Sequence, residues 1–468
     1  MPAAAAAVAA GMATGPGSRV TRFAKSTAAS VTPVRPGKTH ALSPLDNAME
    51  RHAVHVVLYV RAAPGVDREQ LKESLSEALS LYPAMTGRLT RGGEGAEGAG
   101  GAATASGEPA RRGWVVKCND AGVRMVDARA AATLDEWLAT ATGDEEMDLL
   151  HYEPMGAEPY IWSPFYVQLT EFTDKSYALG LSCTHMHNDP TAAALFFQSW
   201  AAAHRRSTST YPPFLHAPAL EVSPASPPPP PPLLAEKSST ASPAGADAAA
   251  MSSATFHFPA AAVRALLSSM DPGTTPFAAL AALFWLRIAG AGAGDDGERD
   301  LTLALDFRKR MHAPLPWGYY GSAVHFTRAR ADLAAGLPDV AAALERHVAG
   351  VPEDELWRAV EWLHARQQQQ DHEAFQMYGP ELTCVALDHV PMYVAEFAAG
   401  APPARVSCRV GGAAGEGLVI VLPAAEGGEA RDVVVTLPAE ATARVCRDGE
   451  VLRHGGQVVF GVKAGKEA

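Results

Sequence analysis

The chain has 468 residues, 47% of them hydrophobic and 19% charged, a globular composition with enough apolar mass for two units of roughly 200 residues each. Its 51 Asp and Glu outweigh 39 Lys and Arg, and the formal charge of −12 argues against the positive field that a nucleic-acid-binding surface requires. The five cysteines lie far apart without a CxxC pair, which argues against a disulfide framework or a zinc–thiolate cluster and points to a reducing compartment.

Residues 1–45 contain no acid, many Ala, Ser and Thr, and the cations Arg19, Arg22, Lys25, Arg35 and Lys38. Residues 1–18 are expected to be a disordered extension. The wider stretch has the composition of an organellar transit peptide, while Arg19–Pro36 also reads as a broken strand with Val20, Phe23, Val31 and Val34 spaced by turn-formers. Asp67–Leu81 places Leu71, Leu75, Ala78 and Leu79 on one helical stripe behind acidic Asp67 and Glu69. Gly92–Arg112 is nearly all Gly, Ala, Glu and Ser and reads as a swollen connection into a strand at Gly113–Lys117; loop-closure entropy rises slowly enough with length to tolerate it.

Phe165–Leu169 and Tyr177–Ser182 alternate like strands, and Thr191–His204 reads as a helix. From about Ser207 to Ser253 the chain is rich in Pro, Ser and Ala, with six consecutive prolines at Pro227–Pro232, and is expected to be an exposed, semi-rigid spacer. Beyond it, Ala260–Met270 and Pro276–Ala289 read as helices, and Leu301–Leu305 and Val433–Leu437 as strands. The pair Trp357 and Trp362 with the Gln367–Gln370 run reads as a helix with one core face and one polar face, and Asp295–Glu298 as an exposed loop. No uninterrupted apolar run of about 18 to 20 residues occurs, so no membrane-spanning helix is expected. The fold class is therefore α/β: two mixed units at 19–206 and 255–468, joined by a crossover linker at 207–254.

The sharpest chemical feature is Thr184-His185-Met186-His187-Asn188-Asp189-Pro190, between a buried-looking strand and a helix. A histidine there suits general-base work because its ordinary pKa lies near 6.5. HxxxD spacing by itself has a bland alternative, a histidine in a strand-end turn with Asp189 capping the helix. A metal reading uses the same residues, with His185, His187 and Asp189 facing one cation, although no HExxH or second His/Asp cluster accompanies them. Arg308, in Leu305-Asp306-Phe307-Arg308-Lys309-Arg310, reads either as a partner for a buried carboxylate of the other half or as part of a solvated strand end. No GxGxxG, Walker or GxSxG motif appears.

Taken in order, Leu42-Ser43-Pro44-Leu45-Asp46, Leu71–Leu75, Tyr82-Pro83-Ala84-Met85-Thr86-Gly87-Arg88-Leu89, His185…Asp189 and Asp306-Phe307-Arg308-Lys309-Arg310…Gly318-Tyr319-Tyr320-Gly321 resemble the plant BAHD acyl-CoA-dependent acyltransferases over roughly Arg19–Arg453. The resemblance implies two similar domains of the chloramphenicol-acetyltransferase-like type with a channel between them, a monomer, acyl-CoA as co-substrate with no bound cofactor or metal, His185 as general base, and Asp189 as a structural residue paired with Arg308. The family's DFGWG segment corresponds to Glu396-Phe397-Ala398-Ala399-Gly400, in which Glu396, Phe397 and Gly400 keep the acid, the Phe and the last Gly; Ala386-Leu387 stand where a Ser-Trp pair is common, and Pro190 replaces the usual Gly. A lost oxyanion donor typically costs about 2.7–4 kcal/mol of barrier.

Val123–Ala128, Thr133–Leu138, His185…Asp189-Pro190, Met377-Tyr378-Gly379-Pro380-Glu381-Leu382-Thr383-Cys384 and Gly415–Pro423 are similar to the ECERIFERUM-type and Glossy-type cuticular-wax branch. That similarity implies support of very-long-chain fatty acid elongation alongside an elongase condensing enzyme of the 3-ketoacyl-CoA synthase type. The protein would then be cytoplasmic and held at the endoplasmic reticulum by its partner. Ordinary acyl transfer to an alcohol or amine is the other function the resemblance allows.

Overall fold

The computed structural model describes residues 12–13, 17–35, 37–91, 113–215, 228–239, 250–290, 298–308, 310, 315–368 and 374–462. The expected extension at 1–18 falls mostly outside these, as do the 92–112 connection and most of the 295–298 loop.

Two seven-stranded mixed sheets organise the chain. The first runs Met12–Ala13, Val20–Ala28, Val123–Ala130, Phe165–Glu171, Tyr177–Thr184, Ala53–Val60 and Arg405–Gly411. The second runs Val324–Asp332, Glu298–Asp306, Thr383–Ala386, Leu418–Pro423, Arg431–Pro438, Met251–Phe258 and Gln457–Phe460. A small sheet of Thr39–Ala41, Trp114–Lys117 and Arg88–Arg91 flanks the first. The Tyr177–Thr184 strand is buried along its whole length, as its near-continuous apolar run requires of a strand covered on both faces. Its end delivers the HxxxD turn into the interior.

The helices form where the apolar periodicity is strongest. Arg68–Leu79 begins on Asp67, whose side chain accepts from the Gln70 amide, and buries Leu71, Leu75, Ala78 and Leu79. Pro190–His204 packs against it, with the Trp200 indole donating to the Leu71 carbonyl at 3.2 Å and the Ser74 hydroxyl at 3.1 Å. Pro276–Ala289 is apolar nearly all round and buried accordingly. Among the described residues no helix is long and apolar enough to cross a membrane.

Two expectations about the chain's division are corrected. Arg405–Gly411 leaves the C-terminal half and pairs antiparallel with Ala53–Val60, because Val406, Cys408 and Val410 need an apolar face and find it on the first sheet. The crossover is also not an exposed spacer throughout. Pro232–Ser239 forms a helix with Leu234 and Lys237 buried; proline at the first helical turn costs nothing there, and the two leucines that follow supply apolar surface.

Candidate active site

The site grows from the turn between the Tyr177–Thr184 strand and the Pro190–His204 helix. His185, His187, Asn188 and Asp189 are all essentially buried. The His185 amide donates to the His52 carbonyl at 2.8 Å and the His187 amide to the Thr184 carbonyl at 3.1 Å, so hydrogen bonds rather than packing alone set the turn. Asp189 caps the helix by accepting from the Ala192 amide at 2.8 Å, while Pro190 occupies the first position, where a missing N–H is harmless.

Asp189 is also one side of an ion cluster. Arg308 Nη2 donates to its Oδ1 at 2.9 Å and Nη1 lies 2.9 Å from its Oδ2, and the Ala323 amide donates to Oδ2 at 2.8 Å. Arg308 Nη1 donates to Asp306 at 2.8 Å, and Nη2 to the Tyr319 and Gly321 carbonyls at 3.2 and 3.1 Å. The Thr191 hydroxyl closes the ring onto Asp306 at 2.7 Å. Burial works against a charged guanidinium, but Asp189 and then Asp306 outweigh it and raise the Arg308 pKa. Burial likewise pushes Asp306 upward, and Arg308 reverses this to hold it well below the ordinary carboxylate range. The solvated-strand-end reading of Asp306 and Arg308 is thereby corrected: the two elements meet face to face, and water is excluded from the charges.

His185 is oriented differently. Its Nε2 lies 3.0 Å from the Tyr378 hydroxyl, and Nδ1 has no hydrogen-bond partner. Burial lowers its pKa, an effect that nearby Asp189 partly offsets, so the imidazole is neutral at pH 7 and keeps a lone pair for a proton. His187 Nδ1 lies 3.3 Å from the Tyr320 hydroxyl, and its ring packs edge-on against Phe165. The two imidazoles thus face different tyrosines, and the lone pairs of Asp189 point at Arg308 and two amides. The three side chains do not converge on one point as a cation would need, and among the described residues no group of three or more His, Cys, Asp or Glu is placed to hold a metal.

The Glu396–Gly400 turn sits at the far end of the same helix. The Gly400 amide donates to Glu396 at 2.9 Å, Arg205 lies 3.8 Å from that carboxylate, and Phe397 is buried edge-on against Trp200 at 5.3 Å. Of the three, Phe397 alone is buried, Glu396 being half-buried and Gly400 exposed. Leu387 is buried, its amide donating to the Val421 carbonyl.

Sequence reasoning assigned no site role to three residues here, although Tyr378 and Asp46 stand within blocks that carry the resemblance. Tyr378 has no polar pattern to single it out. His52 receives the Met377 amide on Nε2 at 3.1 Å and faces the Gly411 carbonyl with Nδ1 at 3.3 Å. That pair of contacts makes Nδ1 the protonated nitrogen, and burial holds its pKa down to about 3. Asp46 accepts from the Ser322 amide at 2.6 Å and the Ser43 amide at 2.7 Å, and burial raises its pKa to about 7.

A family model described as the Transferase family matches residues 20–452. Protein ECERIFERUM 26-like of Arabidopsis thaliana is 26% identical over 430 residues, covering 90% of this chain and 93% of that protein. A hydroxycinnamoyltransferase of Narcissus pseudonarcissus is also 26% identical, over 434 residues, covering 88% and 95%. Among solved structures, vinorine synthase superposes with a TM-score of 0.68 at 17% identity, covering 94% of this chain and 99% of its own. F. sporotrichioides TRI101, complexed with coenzyme A and T-2, gives 0.66 at 15% identity, covering 89% and 99%. At these identities the structural likeness establishes the fold.

Proposed function

This chain belongs to the Transferase family, the BAHD acyltransferases, and on that premise we propose that it supports very-long-chain fatty acid elongation for cuticular wax together with a 3-ketoacyl-CoA synthase-type condensing enzyme, its inherited acyl-transfer site held closed. The observation that carries this reading is the burial of His185 with Nε2 engaged by Tyr378. A general base must present that lone pair to an acceptor's proton, and here a protein hydroxyl has taken the acceptor's place. The relatives with ECERIFERUM names lend the branch assignment support at 24–26% identity. In this reading the protein reaches the endoplasmic reticulum through its partner.

A second reading is favoured by a different observation. The His185–Asp189–Arg308 arrangement is complete, and hydroxycinnamoyltransferases are equally similar. On that reading acyl-CoA gives its acyl group to an alcohol or amine, with His185 as base, Asp189 and Arg308 as structural partners, and Glu396, Phe397 and Gly400 holding the helix that carries the turn.

Co-expression in yeast with a wax-type condensing enzyme tests the two. Longer acids from both wild type and His185→Ala, read by gas chromatography, are the expected result. No lengthening from either would falsify the elongation reading, and lengthening from wild type alone would move the function back onto His185.

A further inference from the structure

The segment that presents Tyr378 is held from every side. The Lys237 ammonium of the crossover helix donates to the Gly379 carbonyl at 2.5 Å and to Glu381 at 2.8 Å, and the Gln376 amide donates to the Lys237 carbonyl at 3.0 Å. The Ala414 amide and the Gln376 side chain both donate to the Tyr378 carbonyl at 3.0 Å. Gly379 takes φ +124°, and a Cβ there would stand 2.7 Å from the Ala414 carbonyl oxygen. The tyrosine ring itself is fully buried, edge-on to His52 at 4.9 Å and to Phe326 at 5.1 Å.

Held in this way, the phenol hydroxyl is fixed 3.0 Å from Nε2 of the His185 imidazole. We propose that Tyr378 is the positioning residue that decides whether this site transfers at all: it is a built-in stand-in for a phenolic acceptor, and the crossover helix, through Lys237, keeps it seated. The inference rests on His185 being the proton acceptor of the family reaction. Removing the ring leaves a ring-shaped space between His52 and Phe326, so the acceptor class best matched to the emptied site is a small phenol. In that step the phenol O–H gives its proton to His185 Nε2 as its oxygen bonds to the carbonyl carbon of an acyl-CoA thioester. The carbon–sulfur bond then breaks, and coenzyme A leaves as the thiol after taking the proton back.

The primary test is ethoxycarbonylation of His185 by diethyl pyrocarbonate in the full-length protein, read by peptide mass spectrometry. Wild type is expected to react slowly and Tyr378→Ala about two- to tenfold faster, the factor that one displaced hydrogen bond is worth. Equal rates overturn the proposal. Because truncating a buried ring can unfold a protein, Tyr378→Phe is run beside it. Loss of the hydroxyl alone is expected to shift the His185 Nε2 resonance in 15N spectra, and an unchanged resonance overturns the hydrogen bond on which the proposal stands. Acyl-CoA and p-cresol are then supplied to Tyr378→Ala. Ester and free coenzyme A, lost again in the His185→Ala double variant, support the stand-in role. An acyl group found on Tyr378 of wild type after acyl-CoA treatment overturns it, since the tyrosine would then be a substrate. None of these readouts depends on the condensing enzyme, so their failure is distinct from failure of the elongation reading.

Discussion

Arg308 carries a full charge into a place that water does not reach, and its two flanking carboxylates make that tolerable. Removing one partner of a buried pair strands the other charge without solvent, which typically costs about 3–5 kcal/mol. Arg308→Ala is therefore expected to lower the unfolding free energy by that order, read as a fall in the urea midpoint at unchanged slope. Arg308→Lys should recover little of it, since an ammonium cannot reproduce the forked contacts by which the guanidinium bridges Asp189 and Asp306. A melting temperature unchanged in Arg308→Ala would rule out this account of the cluster. Phe397 is the apolar counterpart at the other end of the helix: Phe397→Ala opens a cavity beside Trp200, and about 3–5 kcal/mol is expected, seen as an earlier unfolding transition with no change in the His185 resonances.

At the scale of elements, the crossover helix Pro232–Ser239 is a structural part of the molecule. Burial lowers the Lys237 pKa, and Glu381 works against that shift; the ammonium donates to the Gly379 carbonyl and to the Glu381 carboxylate. Lys237→Met keeps the length of the side chain but leaves the carbonyl and Glu381 without their donor, at about 1–3 kcal/mol. Expected is faster hydrogen exchange across 232–239 and 376–381, with the Tyr177–Thr184 strand still protected. Uniform loosening of the whole chain would mean that the helix is not a separable clamp. The helices at 68–79, 190–204 and 276–289 were legible in the sequence because their apolar spacing and Asp, Pro or Thr starts are local signals. The helix at 232–239 was not, since prolines on one side and a Ser/Ala run on the other mask a burial that depends on Gly379 and Glu381, some 140 residues away in the chain.

At the scale of the whole molecule, burial holds several histidines neutral. His52 and His187 are lowered to about 3 and His55 to about 4 by desolvation, whereas the unfolded chain takes up these protons near pH 6.5. Their contribution is complete above that pH and is lost as pH falls through 6.5 toward 4. Asp46 runs the other way: burial raises it to about 7, so its contribution is present below about pH 4 and lost as pH rises toward 7. Among these four groups, three protons favour the unfolded state and one the native state between those limits, so together they leave two net protons, and buried His185 acts in the same direction as the three histidines. Each net proton is worth about 1.4 kcal/mol per pH unit. The melting temperature should therefore fall steadily between pH 6.5 and 4.5; a flat profile over that range would show that the histidines are not buried as described.

The sequence alone determined the class of fold, the family, and the chemistry available at His185, Asp189 and Arg308, because those depend on residue type, spacing and the order of blocks along the chain. It also determined that Asp189 starts a helix, a local consequence of its side chain and the following proline. Only the tertiary structure decided what faces what: that Arg308 joins Asp189 to Asp306, that Arg405–Gly411 crosses to the first sheet, and that Tyr378 stands on the nitrogen of His185. The physical reason is that these contacts, apart from the local Arg308–Asp306 pair, join residues from 119 to 358 positions apart only once both sheets have formed. The block around Tyr378 is visible in the sequence, but the histidine its hydroxyl faces lies 193 positions away.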